Sequence, residues 1–312
     1  MGPQIINSWR DLPPSARGAS LALGAFDGVH RGHRAVIAGA AEAARRRNAP
    51  LGVLTFDPHP RRWFVPDDPP FLLTTPDQQC RLFASLGVEW LYRLPFDAAM
   101  AALSEEAFVA EVLAEGLGAR HVSTGQDFTF GKGRKGGPET LKRLAGRHGF
   151  SVSTAPLVLQ AGLKCSSSAI RDALIAGRPE TAAAMLGRPF AIKGVVVHGE
   201  HLGRTIGFPT ANIELGDYVR PAQGIYAART RLPDGREVPG VAYIGRRPTV
   251  NGVDERLEVN LFDFDEDLYG QILETDLTHF IRSDEKFDSL EALKAQIARD
   301  SEAARALLMP AF

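Results

Sequence analysis

Sulfur chemistry is nearly absent from this chain: 312 residues contain two cysteines, Cys80 and Cys165, and no CxxC pair. A disulfide framework and a cysteine-held structural zinc are excluded, and a reducing compartment is the simplest setting. No run of about 18 apolar residues occurs that would span a bilayer. Met1 to Gly18 holds no basic segment followed by an apolar one. The expectation is a cytoplasmic protein with no membrane partner. An excess of one charge is also lacking, since 36 Lys and Arg stand against 37 Asp and Glu for a formal net charge of -1. That balance argues against a general nucleic-acid binder. No GxxxxGK[ST] string is present, so any phosphoryl transfer needs a cradle other than a P-loop.

What the chain has is apolar residues, 44% of the total, and a length suited to two domains, each burying its own core. Residues 1–187 carry 21 basic and 17 acidic side chains, whereas residues 188–312 carry 15 and 20. The split fits a first half that meets phosphates and a second that holds a metal through oxygen ligands. An apolar run at Leu21 to Phe26, an Ala-rich helical stretch through Arg47 and a second run at Leu51 to Phe56 form a βαβ unit. Further short runs at Trp90 to Leu94, His121 to Thr124 and Ser151 to Leu159, with helical stretches such as Ser104 to Leu117 between them, predict a parallel sheet. Ser167 or Ser168 is a natural N-cap for a helix ending at Gly177, and Pro179 opens another that Gly187 stops. The boundary is therefore expected there, giving domains 1–187 and 188–312. Beyond it, Ile192 to Val197, Gly224 to Arg231, Val238 to Ile244 and Leu257 to Phe262 are β-like and predict a small barrel, with a final helix over Ser289 to Leu308 packed through Leu290, Leu293, Ile297 and Ala304.

The stretch Gly24-Ala25-Phe26-Asp27-Gly28-Val29-His30-Arg31-Gly32-His33 joins the first strand to the first helix. Glycines let backbone approach a ligand, and a helix start presents unpaired amides to anions. His30 and His33, three apart, share one side of that terminus. The string resembles the HxGH signature of nucleotidylyltransferases, in which the histidines stabilise charge on the α-phosphate of ATP and on departing pyrophosphate. Gly24, Phe26, Asp27 and Gly32 are its candidate nucleotide-binding companions. Ser166-Ser167-Ser168-Ala169-Ile170-Arg171 starts another helix with hydroxyls and a guanidinium, and is similar to the SSTxIR motif of the same superfamily. Gly131, Gly133 and Gly136 spell GxGxxG, but no acidic residue follows about 20 positions later, so a dinucleotide fingerprint is rejected in favour of a mobile basic loop over a nucleotide.

In the second half, Gly199, Gly203 and Gly207 offer an alternative phosphate cradle. Thr210 and Asn212 are two neutral oxygen donors two residues apart, placed on an extended segment to hold Mg²⁺ on one face. His198, Glu200 and His201 lack HExxH spacing, which speaks against zinc. Along Leu257-Glu258-Val259-Asn260-Leu261, alternation places the three apolar residues on one face and Glu258 with Asn260 on the other, where Glu258 can accept a proton from an attacking hydroxyl. Asp263, Asp265, Glu266 and Asp267 are read as a solvated turn.

Taken in this order, with Thr55-Phe56-Asp57-Pro58-His59-Pro60, Leu186-Gly187-Arg188-Pro189, Gly207-Phe208-Pro209-Thr210-Ala211-Asn212, Arg247-Pro248-Thr249 and Asp267-Leu268-Tyr269-Gly270, the chain resembles the bacterial bifunctional riboflavin kinase/FAD synthetase family. The resemblance implies a Rossmann-like nucleotidylyltransferase domain followed by a six-stranded riboflavin kinase barrel with a terminal helix. It implies riboflavin, FMN, FAD and ATP as partners, with Mg²⁺ as cofactor: riboflavin becomes FMN, which is adenylylated to FAD with release of pyrophosphate. By the same resemblance Glu258 is the base for the ribityl 5'-hydroxyl, and Thr210 and Asn212 are the Mg²⁺ and nucleotide ligands. His30 and His33 are the adenylyl-transfer histidines, Asp127, Ser167, Ser168, Arg171 and Gly203 belong to nucleotide sites, and Pro58 and His59 lie near the flavin. Three departures stand out: Ser168 where Thr is usual, Thr129 where Arg is frequent, and Tyr243 in place of a common Asn. The competing expectations are an adenylyltransferase whose barrel only binds flavin, and a binding regulator without chemistry.

Overall fold

A computed structural model describes residues 2–199, 207–249 and 252–308, with the side chains of 246–249 and 252–254 left aside. The chain divides into two compact units, Met1–Asp68 with Pro76–Ser166, and Pro69–Thr75 with Ser167–Phe312.

The first unit is built on a parallel sheet of six strands, β1 (Gln4–Ile6), β2 (Ser20–Leu23), β3 (Leu51–Asp57), β4 (Trp90–Pro95), β5 (His121–Gly125) and β6 (Ser151–Ala155), in the order β1-β4-β3-β2-β5-β6. Helix α1 (Arg31–Arg47) connects β2 to β3. The remaining helices of the unit are α2 (Pro60–Phe64), α3 (Pro76–Ser85), α4 (Ala98–Ala102), α5 (Glu105–Ala107), which runs on as π-helical turns over Phe108–Gly116, and α6 (Pro138–Arg147). Leu21, Leu23, Leu54, Tyr92 and Leu94 pack one face against Phe108, Val109, Val112 and Leu113, while Ala22, Val53 and Leu91 pack the other against Val36, Ile37 and Ala40 of α1. Burial on both faces is why these strands read as continuous apolar runs rather than alternating ones. Strand order reverses at β2, whose neighbours are β3 on one side and β5 on the other. In an open parallel sheet the crevice beyond such a switch point takes the ligand. A two-stranded hairpin, β7 (Leu159–Gln160) with β8 (Leu163–Lys164), completes this unit.

The second unit starts with α7 (Ser167–Ile175) and α8 (Pro179–Leu186); Gly187 caps α8 in the left-handed region (φ 76°). These helices pack with the barrel, so the compact units part at Ser166/Ser167 although the sequence signals for a boundary cluster at Gly187. Residues 69–75 join them: Leu72 donates its N–H to Asp217 O (2.9 Å) and accepts from Val219 N (2.9 Å). The closed antiparallel barrel comprises β9 (Phe190–Val197), β10 (Ala211–Glu214), β11 (Gly224–Arg231), β12 (Glu237–Thr249), β13 (Gly252–Leu261) and β14 (Ile272–Ser283), in the order β10-β13-β12-β11-β14-β9. The expected parallel sheet, six-stranded barrel and terminal helix α9 (Leu290–Leu308) are all present. Helix α9 packs lower than expected: Leu290 is exposed, and Ala304 and Leu308 fill the contact with Ala227, Val241 and Phe262.

Candidate functional site

Two sites emerge, one in each unit. In the first, the loop after β2 turns sharply at the switch point. Phe26 (φ 54°) and Val29 (φ 41°) both adopt left-handed backbone, which is costly for a β-branched residue such as Val29. The turn is closed by Val29 N–H donating to Phe26 O (3.0 Å), and Thr55 Oγ1 on β3 holds Ala25 O (3.0 Å). Local strain of about 1–3 kcal/mol per residue survives only where the surroundings impose it, and it clusters at functional sites.

The geometry delivers His30 to the N-cap of α1, where its Nδ1 accepts from His33 N–H (3.3 Å). A neutral His30 therefore carries its proton on Nε2. The His30 and His33 rings stack at 3.6 Å with 20° between planes, and the Phe26 ring meets His33 edge-on at 5.2 Å. Phe26 is itself sealed in the core against Phe83. Its buried ring backs His33. Asp27 is 1% exposed. Gly32 is tightly hemmed in: a Cβ there would stand 3.0 Å from His30 Cε1 and 3.1 Å from Cys165 O, close enough that a neighbour must give by a few tenths of an ångström.

Beyond the carboxyl ends of β3, β4 and β5 lies a cavity of about 760 Å³, walled by Phe56, Phe64, Phe96, Phe108, Phe128 and Phe130. Ala25, His59, Asp127 and Arg134 also line it. His59 caps α2 by accepting from Arg61 N–H through Nδ1 (3.1 Å). Its neighbour Pro58 is next to the lining rather than in it. Asp127 is ion-paired with Lys164 of β8. The glycine-rich loop closes on itself: Phe130 and Gly136 exchange backbone hydrogen bonds (3.1 and 3.0 Å), and Arg134 Nε donates to Thr129 Oγ1 (2.9 Å). Sequence reasoning missed the aromatic walls. Phe56 ends the apolar run of β3, Phe96 follows β4, Phe128 and Phe130 lie in the loop after β5, and Phe64 and Phe108 lie in helices; each looks singly like a core residue, and only topology brings them together.

Ser167, Ser168 and Arg171 fall in the second unit. Ser167 and Ser168 form the first turn of α7, whereas Arg171 is buried, donates Nε to Phe71 O (2.6 Å) and lies 5.4 Å from the Phe71 ring centre.

The second site lies on the barrel. Leu257, Val259 and Leu261 of β13 are buried as alternation requires, leaving Arg256, Glu258 and Asn260 on the opposite face. Register places Glu258 directly across from Asn212 on β10 and from Tyr243 on β12. Directly opposed residues of an antiparallel pair share a face with Cβ atoms about 4.5–5.5 Å apart. Asn212 is 5% exposed and lies against Gly199, where a Cβ would come within 2.5 Å of its Nδ2. Its Oδ1 has no hydrogen-bond partner among the described residues. Thr210, half-buried, lines a cavity of about 430 Å³ with Pro209, Leu268 and Tyr269. Tyr269 stacks on His198 at 4.1 Å, and Tyr243 Oη donates to Asp284 Oδ2 (3.0 Å).

The acidic turn is exposed, as its reading as a solvated turn expects; within it Asp265, Glu266 and Asp267 also line that cavity, Asp263 pairs with Arg305 (2.8 Å), and Glu266 pairs with Arg236 (2.8 Å). Gly203, with Glu200 and His201, lies outside the described residues, as do the side chains of Arg247, Pro248 and Thr249.

Comparison with known proteins agrees with this two-site anatomy. A family model described as FAD synthetase matches residues 12–169, and one described as riboflavin kinase matches residues 186–308. The bifunctional riboflavin kinase/FMN adenylyltransferase of Escherichia coli (strain K12) is 43% identical over 288 residues, covering 92% of each chain. That of Bacillus subtilis (strain 168) is 39% identical over 290 residues, covering 91% of this chain and 90% of the relative. A crystal structure titled macrolide-efflux protein from Streptococcus pneumoniae superposes with a TM-score of 0.87 at 34% identity, covering 97% of this chain and 98% of that one. Likeness of this extent across both units has one consequence: the chain belongs to the bifunctional riboflavin kinase/FMN adenylyltransferase family.

Proposed function

We propose that the barrel phosphorylates riboflavin to FMN and that the parallel-sheet unit adenylylates FMN to FAD. Both activities follow from the family; the roles below are read from the residues. The observation that carries the kinase half is the in-register pair Asn212 and Glu258, which sets a buried amide residue and a carboxylate residue at directly opposed positions, Asn212 being two residues along the chain from Thr210. Glu258 accepts the proton of the ribityl 5'-hydroxyl as that oxygen attacks the γ-phosphate of ATP and ADP leaves. A hard cation fits here: the unpartnered Oδ1 of Asn212 and the Thr210 hydroxyl are neutral oxygens of the kind Mg²⁺ takes alongside substrate phosphates. When bound, Mg²⁺ supplies neutralisation of phosphate charge. Gly199 serves by making room for Asn212.

In the other unit, the phosphate of FMN attacks the α-phosphate of ATP and pyrophosphate departs. His30 and His33, at a helix start whose amides also face anions, stabilise the charge that develops. Gly24, Asp27 and Gly32 shape the nucleotide cradle, and Asp127 belongs to nucleotide binding; by the family resemblance Ser167, Ser168 and Arg171 at the start of α7 have nucleotide-binding roles as well. The aromatic cavity beside Ala25 and His59 has the size and apolar walls of a small-ligand site and takes the flavin ring, with Pro58 at its edge. On this basis residues 1–187 carry adenylyl transfer and 188–312 carry the kinase, in the cytoplasm, where Cys80 and Cys165 stay free. Among the described residues, no helix is long and apolar enough to cross a membrane.

The test is a time course with riboflavin, ATP and Mg²⁺, separating the three flavins by chromatography. FMN should rise before FAD. Glu258→Gln should abolish FMN formation while FMN supplied directly still becomes FAD, and His30→Ala should do the reverse. Loss of both reactions in both folded variants would refute separate sites.

A further inference from the structure

We infer that Asn260 is a positioning residue for the kinase reaction, fixing the backbone from which Thr210 reaches the phosphates. The inference rests on the kinase site proposed above. Asn260 shares the outward face of β13 with Glu258, and its Nδ2 donates to the carbonyl of Pro209 at 2.7 Å. The ladder between β10 and β13 ends one step earlier, with Ala211 opposite Val259 and Asn212 opposite Glu258. Thr210 precedes β10 and receives no ladder pairing. The Asn260 amide does at that step what a strand partner would otherwise do.

One bond suffices because little freedom remains. The ring of Pro209 fixes its φ, and the peptide to Thr210 is planar. The direction of the Pro209 carbonyl therefore sets the ψ of Pro209, and with it the peptide plane that leads into Thr210. A second bond of the same kind lies on the other side of Glu258: Arg256 Nη1 donates to His198 O (3.2 Å), just before the Gly199 that lies against Asn212. Of the two oxygen donors proposed for the cation, Asn212 lies in the sheet ladder, whereas Thr210 lies outside it, held by the Asn260 amide on the preceding carbonyl and by a long bond from Asn212 Nδ2 to its own carbonyl (3.5 Å).

The test compares Asn260→Leu, which removes the donor, Asn260→Asp, which turns an acceptor toward the Pro209 carbonyl, and Asn260→His, whose ring N–H reaches about as far as the lost amide. Kinase rates are measured against Mg²⁺ concentration, FMN adenylylation serves as the internal control, and calorimetry follows ADP binding with and without Mg²⁺. Groups that orient metal ligands typically change affinity by about 10–100-fold when removed. In Asn260→Leu and Asn260→Asp, the Mg²⁺ needed for half-maximal kinase rate should rise by about tenfold, with ADP binding in the absence of Mg²⁺ and adenylyl transfer unchanged. Asn260→His should recover most of the loss. A lowered melting temperature with an unchanged Mg²⁺ profile would make Asn260 merely structural and overturn the inference. If Asn260→Leu fails to fold, the contrast between Asn260→Asp and Asn260→His decides. Glu258→Gln is run alongside: if it is inactive while the Asn260 variants keep the wild-type Mg²⁺ profile, the inference alone fails, and if it turns over normally, the kinase-site assignment fails with it.

Discussion

Gly32→Ala separates chemistry from stability at the adenylyl-transfer site. Gly32 lies in the first turn of α1 with no left-handed backbone to protect, so alanine is conformationally acceptable there and even favours the helix by up to about 1 kcal/mol. The cost is steric and local: the new methyl would sit 3.0 Å from His30 Cε1, 3.1 Å from His30 Nδ1 and 3.1 Å from Cys165 O. A carbonyl in the chain is less free to retreat than an imidazole, so the His30 ring must move by a few tenths of an ångström. That ring is stacked on His33 and caps the helix through Nδ1. Displacements of about 1 Å at a reacting group cost about 10²-fold, so a smaller one should lower kcat/KM for FAD formation by about 10-fold, or about 1.4 kcal/mol in the barrier. The assay is pyrophosphate release with saturating FMN, alongside thermal denaturation and riboflavin phosphorylation. Melting should shift by less than a few degrees, and the kinase rate should not change. Adenylyl transfer within twofold of wild type would refute the reasoning, as would a matching loss in both reactions.

His30→Asn should retain more helix stability than His30→Ala by about 1 kcal/mol, because an amide oxygen replaces the capping Nδ1, yet both should lose adenylyl transfer equally; denaturation midpoints and FAD yield check this pair. Acidification should weaken the first unit through His121, whose ring nitrogens meet Ser151 Oγ (2.7 Å) and Ser153 Oγ (2.9 Å). Burial, with Arg47 and Arg46 nearby, lowers its pKa to about 4, so the unfolded chain takes up a proton near pH 6.5 that the folded one refuses. Stability present above that pH is lost as pH falls toward 4, by about 2 kcal/mol at pH 5, and His121→Gln should flatten the profile in urea titrations. Asp276 in the barrel runs the other way: burial raises its pKa to about 6, so the folded state holds a proton that the unfolded state releases, and barrel stability falls as pH rises from about 4 to 6. Asp276→Asn should therefore stabilise the barrel by about 1–3 kcal/mol at pH 7.5 and give no gain at pH 4, read from the barrel's own unfolding transition.

The helix start at His30 and the face of Glu258 were legible because each depends on neighbours within ten residues. Strand-to-helix order, the Gly187 cap and the alternation of Leu257, Val259 and Leu261 are local signals, and all three hold. What escaped depends on chain segments far apart. Strand β14 buries Leu273, Thr275 and Leu277 in alternation, but Thr275 is polar and its hydroxyl is satisfied by Thr230 across the sheet (3.0 Å). Register shifts against β11, between Ile225 and Tyr226 and between Ala227 and Ala228, break the two-residue period from which strands are read. Helix α9 shows the same effect: counting apolar residues selects Leu290, while the buried stripe includes Asp300, only 2% exposed and held by Arg282 Nη2 at 2.8 Å. A buried carboxylate with a partnered guanidinium takes an apolar residue's place without an apolar residue's signature. The aromatic cavity is the functional case of this limit. Phe56, Phe96 and Phe128 stand at or beyond the carboxyl ends of three different strands of one parallel sheet, and a parallel sheet aligns its carboxyl ends whatever the spacing in sequence. A site of that kind becomes visible only when strand order is known, and the pairing of Asn212 with Glu258 is no different: alternation along β13 shows which face Glu258 takes, but only the register of β10 on β13 sets the two residues opposite each other.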